Sequence, residues 1–203
     1  MNRWQKHLGL GLIVVFAIWL LQNPGGLAKD HSSPRIAIAT VTYPVYGTTI
    51  SAIRQSMTDN SPIVDRGNRF DGFTRWNINW RYSYSPVDGV CRVNPRDVSV
   101  TAKVTFTMPK WQDAKRSSPA VGDRWNRFIR ALQRHEDGHR DHGIRASQDI
   151  FRALQRVVIP SDCGGMQETA NATARAIIAR YNQADLDYDR RTGHGRTQGA
   201  QFP

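Results

Sequence analysis

His135, Glu136 and His139 follow one another as H-E-x-x-H, and on a helix positions i and i+4 share a face. Two imidazoles on one face can reach a single zinc, while the Glu sits beside the open coordination position, where it can take a proton from water. That is the layout of a metal-dependent hydrolase. The chain has two Glu and six His in 203 residues, so random placement gives roughly 0.002 such matches. Chance is a weak competitor. The bland alternative is a solvated polar helix that carries these residues without a metal.

Two histidines leave zinc short, because a catalytic site takes three protein ligands and a water. His142 lies on the same face, but seven residues of helix, about 10.5 Å, separate it from His135. Acids further along, such as Asp149, reach the metal only if the helix bends. His194 is the third candidate, carried between Gly193 and Gly195 on a stretch that can be brought across from another element. Tyr181, Tyr188, Arg190 and Arg191 are the candidates for steadying an oxyanion.

These residues need elements to position them. Trp125, Phe128, Ile129, Leu132, His139, Ala146, Ile150, Leu154 and Val157 recur at three or four residues, which predicts one long helix with Asp123 as its N-cap and Pro160 as its stop. The motif histidines then lie on or beside the buried face. Gly138 and Gly143 each weaken such a helix by up to about 1 kcal/mol relative to Ala, so either bulk is unwelcome there or the helix bends. Ahead of it, Thr74, Trp76, Ile78, Trp80, Tyr82 and Tyr84 alternate with polar positions, as do Val98, Val100, Ala102, Val104, Phe106 and Met108. The two runs read as a long antiparallel ribbon with one apolar face, joined by a connection from Ser85 to Asp97 and ended by Pro109.

Earlier still, a strand around Ile36, Ile38 and Val41 ends at Tyr43-Pro44, and a short helix capped by Thr48 or Thr49 runs to about Met57. After the long helix, an Ala-rich stretch from Met166 to about Asp187 predicts a second helix. Tyr188 to Ala200 holds three glycines and no apolar periodicity, and reads as a basic loop. The fold class expected is α+β: a small antiparallel sheet packed against the H-E-x-x-H helix and a second C-terminal helix.

Composition sets the compartment. Arg3 and Lys6 precede an apolar run of 14 from Leu8 to Leu21, and Gly26-Leu27-Ala28 offers a cleavage site. Residues 1–28 read as a signal peptide, or as an N-terminal anchor if uncleaved, and 29–203 as a single domain exported to the periplasm or beyond. Cys91 and Cys163 both fall in the exported part and are expected to bond, closing a loop worth roughly 4 kcal/mol by chain entropy. Losing Arg3 and Lys6 leaves 26 basic against 17 acidic residues, 26 − 17 = +9. The basic residues are scattered and no run of five like charges occurs, which fits a solvated basic face and no nucleic-acid partner. Membrane contact is expected only through the N-terminal segment.

Several separated blocks then agree in order with one family: Tyr43 to Gly47, the Trp-rich strand Trp76 to Tyr82, Cys91, Pro109-Lys110-Trp111, His135 to His139, Cys163, and Thr192-Gly193-His194-Gly195 with Gln198-Gly199-Ala200. Across essentially the whole exported chain, the sequence resembles the predicted secreted zinc-dependent protease family, domain of unknown function 922. The resemblance implies a zincin-like fold and a zinc ion held by His135 and His139, and it favours His194 over His142 or an acid as the third ligand. It also implies hydrolysis of a peptide or protein substrate, with Glu136 as general base. His142 and Arg145 stand where the metzincin spacing demands Gly and His, so a metzincin is excluded. A zinc amidase acting on envelope material and a non-catalytic metal-binding envelope protein are the rivals.

Overall fold

The computed structural model describes residues 32–203, save 66 and 161. The expected export segment, residues 1–28, lies outside them. The chain runs as strand β1 (Arg35–Val45), helix α1 (Ile50–Asn60) and a two-stranded hairpin, β2 (Val64–Asp65) with β3 (Asn68–Arg69). Strands β4 (Phe73–Arg81), β5 (Tyr84–Val87), β6 (Val90–Val93) and β7 (Ser99–Trp111) follow. Helix α2 (Pro119–Leu154), strand β8 (Val158–Pro160) and helix α3 (Met166–Thr192) complete the order, ending in a 3-10 turn at Arg196–Gln198.

β4 and β7 form the expected ribbon: they pair antiparallel from Phe73–Thr107 to Arg81–Ser99. Thr74 and Ile78 on one strand, and Val100, Ala102, Val104, Phe106 and Met108 on the other, are buried, because alternation turns every second side chain to one face. The sheet as a whole is mixed and not antiparallel, since β1 runs parallel to β7 from Arg35–Thr101 to Val45–Trp111. Parallel pairing needs a crossover, and α1 with β4 to β6 lies between the two strands in sequence. Pro109 does not end β7. It sits past the last pair with β4 at Thr107 and still pairs with Tyr43 of β1.

The connection from Ser85 to Asp97 is itself structured. β5 and β6 make a hairpin, and β8 adds to β6 as a second three-stranded sheet. Cys91 in β6 bonds Cys163, with Cα atoms 5.2 Å apart, within the normal span of a disulfide. The bridge points to an oxidising, exported environment. Among the described residues no helix is long and apolar enough to cross a membrane.

α2 is one continuous helix of 36 residues, about 54 Å long. It begins at Pro119, with Ser118 as N-cap, five residues earlier than an Asp123 cap implies. Proline suits the first helical turn because its missing N–H had no partner there. It ends at Leu154, before Pro160, which lies in β8. Two apolar clusters flank its middle. Val100, Ala146, Ile150, Leu154, Met166 and Ala170 belong to one cluster; Phe106, Trp125, Phe128, Leu132 and Phe202 belong to the other, and Trp76 touches both. The H-E-x-x-H residues fall in the seam between them.

Candidate metal centre

His135, Glu136 and His139 are 4%, 2% and 8% exposed, so the motif is buried along with the apolar stripe of α2. Among the described residues no fully buried side-chain polar atom lacks a hydrogen-bond partner, as burial requires. His135 Nδ1 meets Gln198 Oε1 at 3.0 Å, and His139 Nδ1 meets Asp185 Oδ1 at 2.9 Å. Tethering Nδ1 leaves Nε2 of both rings facing one point. That point is Asp189 Oδ1, 3.2 Å from His135 Nε2 and 3.1 Å from His139 Nε2.

Asp185 and Asp189 lie on α3, one turn apart, and α3 reaches the site because it is longer than its composition suggests. Asp187 does not end it. The helix continues to Thr192 and stops at Gly193, whose left-handed φ of 57° lets the His194 N–H bond the Asp189 carbonyl at 2.9 Å. Tyr188 to Arg191 are thus helical, and the loop begins only at Gly193. The tail then turns back, with the 3-10 turn carrying Gln198 to His135 and with Ala200 and Phe202 buried in the core.

The glycines of α2 are explained by what they face. A Cβ on Gly138 would come within 2.5 Å of the Tyr188 ring, and one on Gly143 within 2.6 Å of Trp76. Bulk is excluded there so that α3 and β4 can close on the motif. Tyr188 stacks on His135, with ring centroids 5.1 Å apart and planes 13° from parallel. Gly195 also approaches His135 so closely that a Cβ there would lie 2.9 Å from Cγ of the ring. Both close approaches restrict the His135 ring.

Electrostatics follow from burial against pairing. Burial pushes the Glu136 carboxyl above its ordinary range, against the 2.8 Å hydrogen bond from the Thr74 hydroxyl and the pull of the two imidazoles. Burial alone would push His139 down, but its bonds to Asp185 and Asp189 outweigh that and hold the imidazole up at about 10. Asp185 and Asp189 would rise on burial, yet the imidazoles they face keep both below the usual carboxylate range. Asp185 is a hub: besides His139 it bonds His142 Nδ1 at 2.6 Å and accepts from Trp76 Nε1 at 2.8 Å.

The ligand atoms of His135, His139 and Asp189 all lie within 4.8 Å of one another, as do those of His139, His142 and Asp185. His194 is in neither group. Its side chain is 58% exposed and its Nδ1 stands 3.6 Å from Asp189 Oδ2, at the rim of the site. Two of the oxyanion candidates are engaged elsewhere: the Tyr181 hydroxyl bonds Asp149, and the Tyr188 hydroxyl accepts from Gln198. Neither tyrosine lines the cleft of about 1350 Å³ that opens over the motif, whereas Glu136, Asp189 and His194 do. Asp185, Asp189, Thr74 and Gln198 are site residues that sequence reasoning missed. The signal available for two of them was a pair of acids four apart on the second helix.

A family model described as "Bacterial protein of unknown function (DUF922)" matches residues 40–195. The chain belongs to that bacterial family. No curated protein and no solved structure matches it significantly.

Proposed function

We propose that this chain is a zinc-dependent metallopeptidase of zincin-like architecture, with His135, His139 and Asp189 as ligands and Glu136 as general base. One observation carries the reading: three donor atoms converge from two helices, and the other nitrogen of each imidazole is already fixed. Two imidazoles and a carboxylate are a catalytic zinc donor set. Ligands about 2.05 Å from a tetrahedral centre lie about 3.3 Å apart, and the 3.1 and 3.2 Å separations from Asp189 Oδ1 fit that. The tethers from Gln198 and Asp185 are the outer partners that fix ring tautomer and orientation.

Zinc bound there supplies Lewis-acid chemistry, lowering the pKa of water to near 7 and polarising a carbonyl. The protein supplies the rest. Glu136, with its basicity raised by burial, receives the proton of the attacking water and delivers it to the leaving amine. Thr74 fixes the orientation of that carboxylate through Oε2. His194, lining the cleft and free of the ligand group, is positioned to donate to the oxyanion of a bound peptide.

The test is metal content and peptide cleavage for wild type, His139→Ala and Glu136→Gln. We expect about one zinc in wild type and none in His139→Ala. Glu136→Gln should keep its zinc and lose about 10²- to 10⁴-fold in turnover. A metal-free wild type purified without chelators, or Glu136→Gln cleaving at the wild-type rate, would overturn the reading.

A further inference from the structure

Arg124, Arg127, Arg130 and Arg134 lie along the first half of α2, outside the metal centre, and line a groove of about 540 Å³. At 100° per residue, spacings of three, three and four keep them within about 120° of the helix circumference. Phe128 and Ala131 form a floor that is 2% and 3% exposed, and Gln198, Gly199, Gln201 and Pro203 line the same groove. None of the lining residues is an acid.

Some arginines elsewhere are paired and others, such as Arg92 and Arg175, are single exposed charges. Among the described residues Arg54, Arg116, Arg140, Arg152, Arg180 and Arg190 each hold a carboxylate at ion-pair distance. The four groove arginines hold none, and the one hydrogen bond recorded for them runs from Arg134 to the Gln198 carbonyl at 3.4 Å. What sets these four apart is their clustering: guanidinium groups gathered around one recess, none paired with a side-chain carboxylate, raise a local positive potential that an anion would relieve.

We propose that this groove binds an extended, phosphate-bearing polymer. Guanidinium forks match phosphate oxygens two at a time, which an ammonium does not. Ten residues of helix separate Arg124 from Arg134, about 15 Å, so one phosphate cannot meet both ends and a chain of them can. A bilayer surface fits poorly. The groove is recessed, its apolar floor is buried, and the exposed large apolar residues, such as Ile38, Val41 and Leu186, line other parts of the surface. The chain's net charge of +11 steers any polyanion towards the protein, and the groove gives it a place to lodge.

The test is binding of the purified full chain to linear inorganic polyphosphate at near-physiological salt. Arg127→Glu/Arg134→Glu is compared with Arg92→Glu/Arg175→Glu, which makes the same charge change at exposed positions away from the groove. We expect at least a tenfold loss in the groove variant and under threefold in the control. The slope of log affinity against log salt should fall by about one per groove arginine removed. Arg127→Gln/Arg134→Gln serves as the milder variant if the charge reversal melts early. Equal losses in both pairs would reduce the effect to net charge and overturn the site. So would groove-dependent binding that is tighter to polyglutamate or to anionic lipid vesicles than to polyphosphate.

Discussion

α2 and α3 meet at the candidate metal site but are held there by different forces. α2 buries 13 of its 36 residues and α3 only four of its 27, three of them in its first three turns. The imidazoles therefore ride on a helix clamped by two apolar clusters. The carboxylates ride on the second half of α3, fixed by polar bonds: Asp185 to Trp76, His139 and His142, and Asp189 to the two motif histidines. Apolar packing is non-directional and hard to undo locally, whereas a segment with few buried apolar contacts opens at lower cost. The site thus joins a rigid half to a half whose position depends on the charges inside it.

The largest effect should come from breaking the α3 half at its proposed ligand. Asp189→Ala is expected to weaken zinc binding by at least about 100-fold, while His194→Ala keeps zinc within about twofold and loses 10²- to 10³-fold in kcat. Metal titration beside peptide turnover separates the two; zinc loss in His194→Ala with retention in Asp189→Ala would exchange their roles. Next comes pH, which acts on the same polar half. In the metal-free protein His139 is raised to about 10, so it holds a proton at pH 7 that a metal must displace. Zinc affinity should rise about tenfold per pH unit between pH 7 and about 10, with about one proton released on binding, read by calorimetry in buffers of differing ionisation enthalpy. The stability that the charged His139 gives the metal-free protein is full below its unfolded value of about 6.5 and is lost as pH rises towards 10. The chelated protein should therefore melt earlier across that window, and a flat melting profile would refute the charge pairing.

The smallest effects lie within α2 and have opposite signs. Gly138→Ala drives a Cβ into Tyr188 and should destabilise by about 1–3 kcal/mol. Gly122→Ala, with nothing within 4 Å, should stabilise by up to about 1 kcal/mol. Thermal melts of both variants decide it, and two shifts of the same sign would contradict the close approach of α3 at Gly138.

The same contrast marks what the sequence could reveal. α2, its buried face and the motif are legible because apolar periodicity records burial directly, and Gly138 and Gly143 signalled the close approaches that Tyr188 and Trp76 make. Asp185 and Asp189 are not legible, because two acids four apart on a helix look like any solvated face. Only the docking of α3 through Trp76 and the motif histidines turns them inward. The end of α3 was misread for a related reason: Tyr188 to Arg191 lacks apolar periodicity, and its helical state rests on contacts with α2 and on the Gly193 cap. Parallel pairing of β1 with β7 leaves no local trace, since it depends on which way a distant strand returns. Residues 35–42 of β1 are exposed on both faces despite Ile36, Ile38 and Val41, because the α2 layer lies over β4 and β7.

The Cys91–Cys163 bridge bears on when the site can form as well as on how stable it is. Cys163 opens the 3-10 turn that runs directly into α3, so the bridge fastens the start of that helix to β6. Before it closes, the helix that carries Asp185 and Asp189 lacks a tether whose chain-entropy value is about 4 kcal/mol. Until then the helix that bears the carboxylates is expected to dock less firmly than the helix that bears the imidazoles. The expected order of assembly is oxidation first, docking of α3 second and metal last, so that a completed centre belongs to the chain's destination and not to the place where it was made.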